Sequence, residues 1–216
     1  MMQRQGMWVS GLFVVIAAVA ALWLYPQLPA RVPVHWNAHG QINGLWTRPW
    51  AALFPAAMVA LLAALTVLLP KISPRRFEIR PFGRVFVLIM LATQALVLVV
   101  GLATLISAAG HAVSVPRVAI LAVGVLLMVL GNYMGKLRKN FFVGIRTPWT
   151  LASEATWERT HRAGGWVFMA AGLLVLVGTL MGLPLGVAIA LIIAAALLPA
   201  LYSFFVYWRL EGKAKR

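Results

Sequence analysis

The 216-residue chain has no cysteine, which excludes disulfides, thiolate metal sites and cysteine nucleophiles. It has no aspartate either, and its only carboxylate side chains are Glu78, Glu154, Glu158 and Glu211. Acid–base catalysis and divalent-cation binding lean on carboxylates, so no catalytic group, cofactor or metal is expected. Charged residues are 11% of the chain, against about 25% in ordinary soluble domains, which argues against a water-soluble globule. What is abundant is hydrocarbon, at 62% hydrophobic residues. The few charges are lopsided, 19 basic against 4 acidic, for a net +15. In a soluble protein that excess would point to nucleic acid. In a chain this apolar it fits the flanks of membrane spans, and no direct nucleic-acid binding is expected.

A membrane helix needs about 20 mostly apolar residues. Six segments qualify: Met7–Tyr25, Trp50–Leu69, Val85–Ser107, Val118–Met134, Gly164–Leu183 and Leu185–Trp208, none with a charged residue or histidine. The expected fold is an all-α integral membrane protein, one domain over residues 1–216. The first span is longer than a signal-peptide core and no small-x-small site follows it, so it is expected to be retained. Trp8, Tyr25, Trp50, Trp166, Tyr207 and Trp208 lie near span ends, as an interfacial aromatic belt requires. Of the 19 cations, only Arg31, Arg48 and Arg117 fall in the first, third and fifth connections. The rest lie in the termini and the even connections, Lys213, Lys215 and Arg216 of the tail among them. The positive-inside rule therefore puts both termini in the cytoplasm.

Two connections carry chemistry. The first, residues 26–50, faces outward on this topology. Val32, Val34 and Trp36 alternate as in a short extended stretch, Asn37 to Gly40 read as a turn, and Asn43-Gly44 gives a second turn signal. Pro49 suits the first turn of the next helix. His35 and His39 are four apart, a metal spacing on a helix, but the turn chemistry opposes a helix there. His35 reads as a packed or hydrogen-bonded loop histidine, or as a group that recognises an outer ligand or senses pH.

The fourth connection, Gly135–Ala163, faces inward. Thr147-Pro148 has the form of a helix start, threonine as cap and proline at the first position. A helix from there to His161 would set Glu154, Glu158 and His161 on one face, bordered by Trp157. Arg162 would then stand four after Glu158, at ion-pair spacing. Such a segment reads as an amphipathic interfacial helix, or as a ligand or partner site. Glu-x-x-His is half of a di-metal pattern, but no second copy exists. Within the spans, Gln94 and Asn132 read as interhelical hydrogen-bond glue. Gly131-x-x-x-Gly135 and Gly178-x-x-x-Gly182 permit close helix approach. Gly44-Leu-Trp-Thr-Arg-Pro-Trp50 echoes Gly144-Ile-Arg-Thr-Pro-Trp149, as an inverted repeat of three spans per half would.

The string Asn132-Tyr-Met-Gly-Lys-Leu-Arg-Lys-Asn140, then Gly144-Ile-Arg-Thr-Pro-Trp-Thr-Leu151, Ser153-Glu154, Trp157 and Thr160-His161-Arg162 through Gly164, closely resembles the signature of the SdpI family. That family comprises bacterial polytopic membrane proteins named for immunity to a secreted toxic peptide. Val32-Pro-Val-His-Trp-Asn37 with Gly40 resembles the short domain of unknown function found ahead of that signature. It departs at Asn43, where an acidic residue is expected, and at Arg48, where lysine is. The two motifs cover residues 26–50 and 131–165. The resemblance implies an inner-membrane immunity or signalling protein that is not an enzyme. Its outer loop would meet a toxic peptide and its inner signature would engage a transcriptional repressor, with lipid around both. The residues implied are Pro33, His35, Trp36, Asn37 and Gly40 outside. Inside they are Arg146, Thr147, Pro148, Trp149, Glu154, Trp157, His161 and Arg162. The rival classes are a small transporter or flippase using Gln94, and a membrane enzyme using Glu154, Glu158 and His161.

Overall fold

The computed structural model describes residues 2–211, so Lys213, Lys215 and Arg216 lie outside the described residues. Its helices are α1 (Met2–Leu24), α2 (Arg48–Ile72), α3 (Gly83–Ala108), α4 (Val115–Met134), the short α5 (Pro148–Ala152), α6 (Glu154–Leu180) and α7 (Leu185–Glu211). All but α5 are long and apolar enough to cross a membrane, and the protein is a predominantly helical six-span bundle. Between α1 and α2 stands one antiparallel hairpin, β1 (Arg31–Trp36) and β2 (Ile42–Thr47).

Lipid tails are as apolar as leucine side chains, so helices in a bilayer associate through close packing and polar contacts. The closest approach is between α4 and α6. A Cβ on Gly131 would lie 2.7 Å from the Gly165 carbonyl oxygen, and one on Gly172 2.6 Å from that of Gly124. The seam is therefore Gly124 and Gly131 against Gly165 and Gly172, seven apart on each helix. This corrects the glycine pairs expected from sequence: Gly135 has open space beside it, and Gly178 meets only Leu183.

Helices α1, α2 and α3 all pack on one another, α6 packs between α4 and α7, and the α3–α4 contact joins the two groups. Gln94 on α3 is fully buried and donates through Nε2 to Thr66 Oγ1 on α2 at 3.1 Å. It is interhelical glue, as expected. Asn132 is not: it is exposed on the outer side of α4.

The two ends of the bundle differ. At one, the hairpin folds back over the helix ends, Val32 being buried with Leu24, Leu28, Ala51, Ala52 and Leu105. At the other, the α4–α6 connection covers a larger cluster, in which Ile79, Phe82 and Phe86 pack with Met134, Leu137 and Trp157. These are the hairpin end and the basic end below.

Candidate functional site

At the basic end the chain leaves α4, turns at Asn140 and crosses to α5. Asn140 is fully buried and its amide is saturated. Nδ2 donates to the carbonyls of Arg138 (2.8 Å) and Val143 (3.0 Å), while Oδ1 accepts from the N–H groups of Phe142 and Val143, both at 2.8 Å. A buried polar group is tolerated only when so bonded. Gly144 follows at φ 114°, and a Cβ there would lie 2.4 Å from His161 Nε2. Only glycine fits this backbone and this approach.

His161 is buried and bonded at both nitrogens. Nε2 accepts from the Ile145 N–H at 3.0 Å, so Nδ1 carries the proton, which it donates to the Trp157 carbonyl at 2.8 Å. The ring is therefore neutral, because a proton on Nε2 would set two donors against each other. It stacks on Trp157, centroids 3.9 Å apart, and the buried Trp157 donates Nε1–H to the Leu137 carbonyl at 2.8 Å. One residue pair thus holds the loop at two places, Leu137 and Ile145.

Thr147 caps α5 as the sequence predicts. Its Oγ1 accepts from Thr150 N–H at 3.2 Å, and Thr150 Oγ1 accepts from Thr147 N–H at 3.0 Å, closing a capping box with Pro148 at the first turn. Thr147 Oγ1 also meets Ser203 Oγ of α7 at 2.8 Å, and Trp149 packs edge-on against Phe204, centroids 5.0 Å apart. Arg146 is exposed and donates to the Phe141 carbonyl.

Two expectations fail here. The helix begun at Pro148 stops at Ala152, and Ser153 caps a new helix that runs on into the fifth span. No separate amphipathic helix reaches His161. Glu158 pairs with Arg138 at 3.4 Å rather than with Arg162, and Glu154 faces Lys139 at 3.9 Å. Both carboxylates are exposed while His161 is sealed, so the three side chains do not converge on one reacting centre.

At the hairpin end a backbone ladder joins the two strands. The register is offset twice, so that Val34 on β1 and Asn43 on β2 each lack a partner. Asn43-Gly44 is therefore a bulge within β2 and not the second turn expected. The bulge aims Asn43 Oδ1 at His35 Nδ1, 2.6 Å away. A Cβ on Gly44 would meet His35 Cβ at 2.7 Å. Asn37 shapes the tip: its Oδ1 accepts from the N–H groups of His39 and Gln41, both at 3.0 Å, and Gly40 completes the turn at φ 77°. The tip leans on Leu185 of α7. Pro33 and Trp36 are half-buried and His35 is exposed.

Beneath the hairpin lie two apolar cavities. One of about 530 Å³ is bounded by Val34 and Trp46 above and by Phe54, Pro55, Val97 and Gly101 below. The other, about 260 Å³, lies under His35, Trp36 and Asn37, against Thr104, Pro116, Leu185 and Ile189. Above them Ile42, Leu45 and Trp46 are exposed. All four glutamates sit at the basic end, so among the described residues this end has arginines and histidines but no carboxylate. Among the described residues no cluster of three or more His, Asp or Glu side chains could hold a metal.

Residues 136–206, from the basic-end loop through most of α7, match the model of the SdpI/YfhL protein family. Residues 12–59, which include the hairpin, match a domain of unknown function (DUF1648). The chain is 24% identical over 212 residues to the immunity protein SdpI of Bacillus subtilis, across 94% of this chain and 97% of that protein. The third of the chain that forms the basic-end loop, α6 and most of α7 is thus similar to the SdpI/YfhL family, and nearly the whole chain is similar to one immunity protein. Its six apolar helices and this similarity support a multi-pass bacterial membrane protein. No solved structure matches it.

Within the SdpI/YfhL segment, the structure brings Thr147, Pro148, Trp149, Trp157 and His161 into one bonded cap and leaves Arg146, Glu154 and Arg162 on its surface. Sequence reading missed Asn140, Thr150 and Ser203 as its fasteners. A polar residue ahead of a Phe-Phe pair and Gly144 was an available turn signal for Asn140. Ser203 could be found only through the fold, since it bonds a residue 56 positions away.

Proposed function

We propose that this protein protects its cell against a secreted antimicrobial peptide, without catalysis, by receiving the peptide at the hairpin end. The observation that carries this reading is the open apolar hairpin. Its exposed Ile42, Leu45 and Trp46 stand over a cavity of about 530 Å³, at an end with no carboxylate among the described residues. Apolar surface left open above a cavity marks a binding face. The distribution of cations supports placing this end outside the cell and both termini in the cytoplasm, where a secreted peptide would reach it. The likeness to the B. subtilis immunity protein along nearly its full length supports the same role.

Pro33, His35, Trp36, Asn37 and Gly40 form the outer site on this reading. The His35–Asn43 bond and the Asn37 turn hold Trp36 and the apolar residues of β2 in place. Inside, Arg146, Arg159 and Arg162 stand exposed with Phe141, and they form a face for an acidic patch on a repressor to which occupancy is signalled. The transporter reading finds no support in Gln94, which is sealed between α2 and α3.

The test is deletion of the gene followed by challenge with secreted antimicrobial peptides. Sensitivity is expected to rise, and the wild-type gene to restore resistance. A Trp36→Ala, Trp46→Ala double variant made at normal membrane level is expected not to restore it. Unchanged sensitivity across the peptides would end the immunity reading.

A further inference from the structure

Three arginines occupy the hairpin end, and two of them are engaged. Arg48 lies over the Tyr25 ring at 5.7 Å, and Arg117 donates to the Thr179 carbonyl at 3.3 Å. Arg31 is exposed, and its guanidinium makes no hydrogen bond or ion pair among the described residues. Every glutamate lies at the opposite end, so among the described residues no carboxylate stands near Arg31 to supply a counter-charge.

Arg31 stands at the mouth of a third cavity, about 490 Å³, on the flank of the bundle. Trp46 and Trp50 border it, and Leu53, Phe54 and Ala57 of α2 form its floor. Trp46 and Phe54 pack edge-on, centroids 5.0 Å apart, and the same two side chains border the cavity beneath the hairpin. They are the wall between the two spaces. From Trp50 to Ala57 the groove descends about 10 Å along α2 at 1.5 Å per residue, about a third of the hydrocarbon thickness. Trp50 and Leu53 are exposed along it, so it opens sideways into the apolar layer.

A single unpaired cation at the interface, above an apolar slot running into the layer, matches an amphiphile with an anionic head and a hydrocarbon tail. We propose that this groove is a binding site for one anionic phospholipid of the leaflet at the hairpin end. Arg31 takes the headgroup phosphate, Trp46 and Trp50 flank the glycerol region, and an acyl chain lies over Leu53, Phe54 and Ala57. A peptide segment fits less well, because the slot opens to the hydrocarbon and not to water. The site stands whether or not the hairpin receives a toxin. A lipid seated there presses on the Trp46–Phe54 wall and so bears on the volume of the cavity under the hairpin.

The test uses the full-length protein in vesicles doped with phosphatidylglycerol carrying a photoreactive acyl chain, with a phosphatidylcholine probe of the same chain as comparison. Labelled peptides are mapped by mass spectrometry. An arginine facing an anionic head is worth about 1 kcal/mol, so residues 45–57 are expected to take about fivefold more label from the anionic probe. Arg31→Gln is expected to bring that labelling down to the phosphatidylcholine level and to leave labelling at the basic end unchanged, which reports intact folding. Ala57→Trp, filling the foot of the slot, is expected to lower labelling by both probes. Equal labelling of the wild type by the two probes would overturn the proposal, as a general lipid contact or a peptide slot would give. An anionic preference that survives Arg31→Gln would overturn it as well.

Discussion

The two ends of this protein solve the problem of a membrane-surface loop in opposite ways. The hairpin satisfies its backbone with a strand ladder, so the exposed side chains of Ile42, Leu45, Trp46 and Arg31 are not spent on main-chain groups. The basic-end loop has no ladder and satisfies its backbone with side chains. Asn140, Thr147, Thr150, Trp157 and His161 all bond main-chain groups. Buried backbone groups must be paired one way or the other. Where strands do the pairing, side chains stay available for a partner; where side chains do it, they are spent on shape. On the proposed reading the hairpin is the face that recognises, while the basic-end loop is a cap that leaves only its outer surface for partners.

The largest effect that would break the contrast is expected at Gly144. A valine there must adopt a positive φ, costing on the order of 1–3 kcal/mol, and must also displace His161. Gly144→Val is expected to lower the melting temperature sharply and reduce membrane level, read by size-exclusion thermostability in detergent. Asn140→Ala comes next, since it strands two N–H groups and two carbonyls, each worth about 1–3 kcal/mol when buried and unpaired. His161→Ala is expected to cost about the same as one to two such groups. If either variant melts like the wild type, the cap is not held by these bonds.

Smaller stability effects are expected at the hairpin, where Trp36→Ala and Trp46→Ala remove partly exposed rings. Their melting temperatures are expected to stay near wild type while peptide resistance is lost, the reverse of the basic-end pattern. The smallest effect belongs to Glu154→Gln and Glu158→Gln. Exposed ion pairs contribute roughly 0.2–1 kcal/mol, so both are expected to retain stability and resistance. Loss of resistance in either would give the exposed acids a role beyond pairing Lys139 and Arg138.

The six spans were legible because an uncharged apolar run of about 20 residues matches the thickness of the hydrocarbon layer. The helix start at Thr147-Pro148 and the turn at Asn37–Gly40 were legible because cap and turn chemistry is local. What escaped was non-local. The second strand was hidden because Asn43-Gly44 carries a turn signature yet forms a bulge, fixed by His35 across the hairpin. The break at Ser153 was hidden because the start signal at Thr147-Pro148 precedes it closely, while Glu154, Trp157, Glu158 and His161 all lie beyond it and keep helical spacing within α6. His161 reads like a site residue in sequence, while the fold closes it against Ile145 and Trp157. The glycine seam escaped because a seven-residue spacing on two helices becomes meaningful only once they are paired.

The orientation of the bundle decides which compartment each end serves, and the absence of cysteine permits a direct measurement. His39→Cys and Glu154→Cys, each the sole cysteine of its variant, are treated in intact cells with a membrane-impermeant maleimide. Labelling is expected at position 39 in intact cells and at position 154 only after the membrane is opened. Labelling at 154 in intact cells, with 39 protected, would place the hairpin inside and contradict its role as the face that meets a secreted peptide.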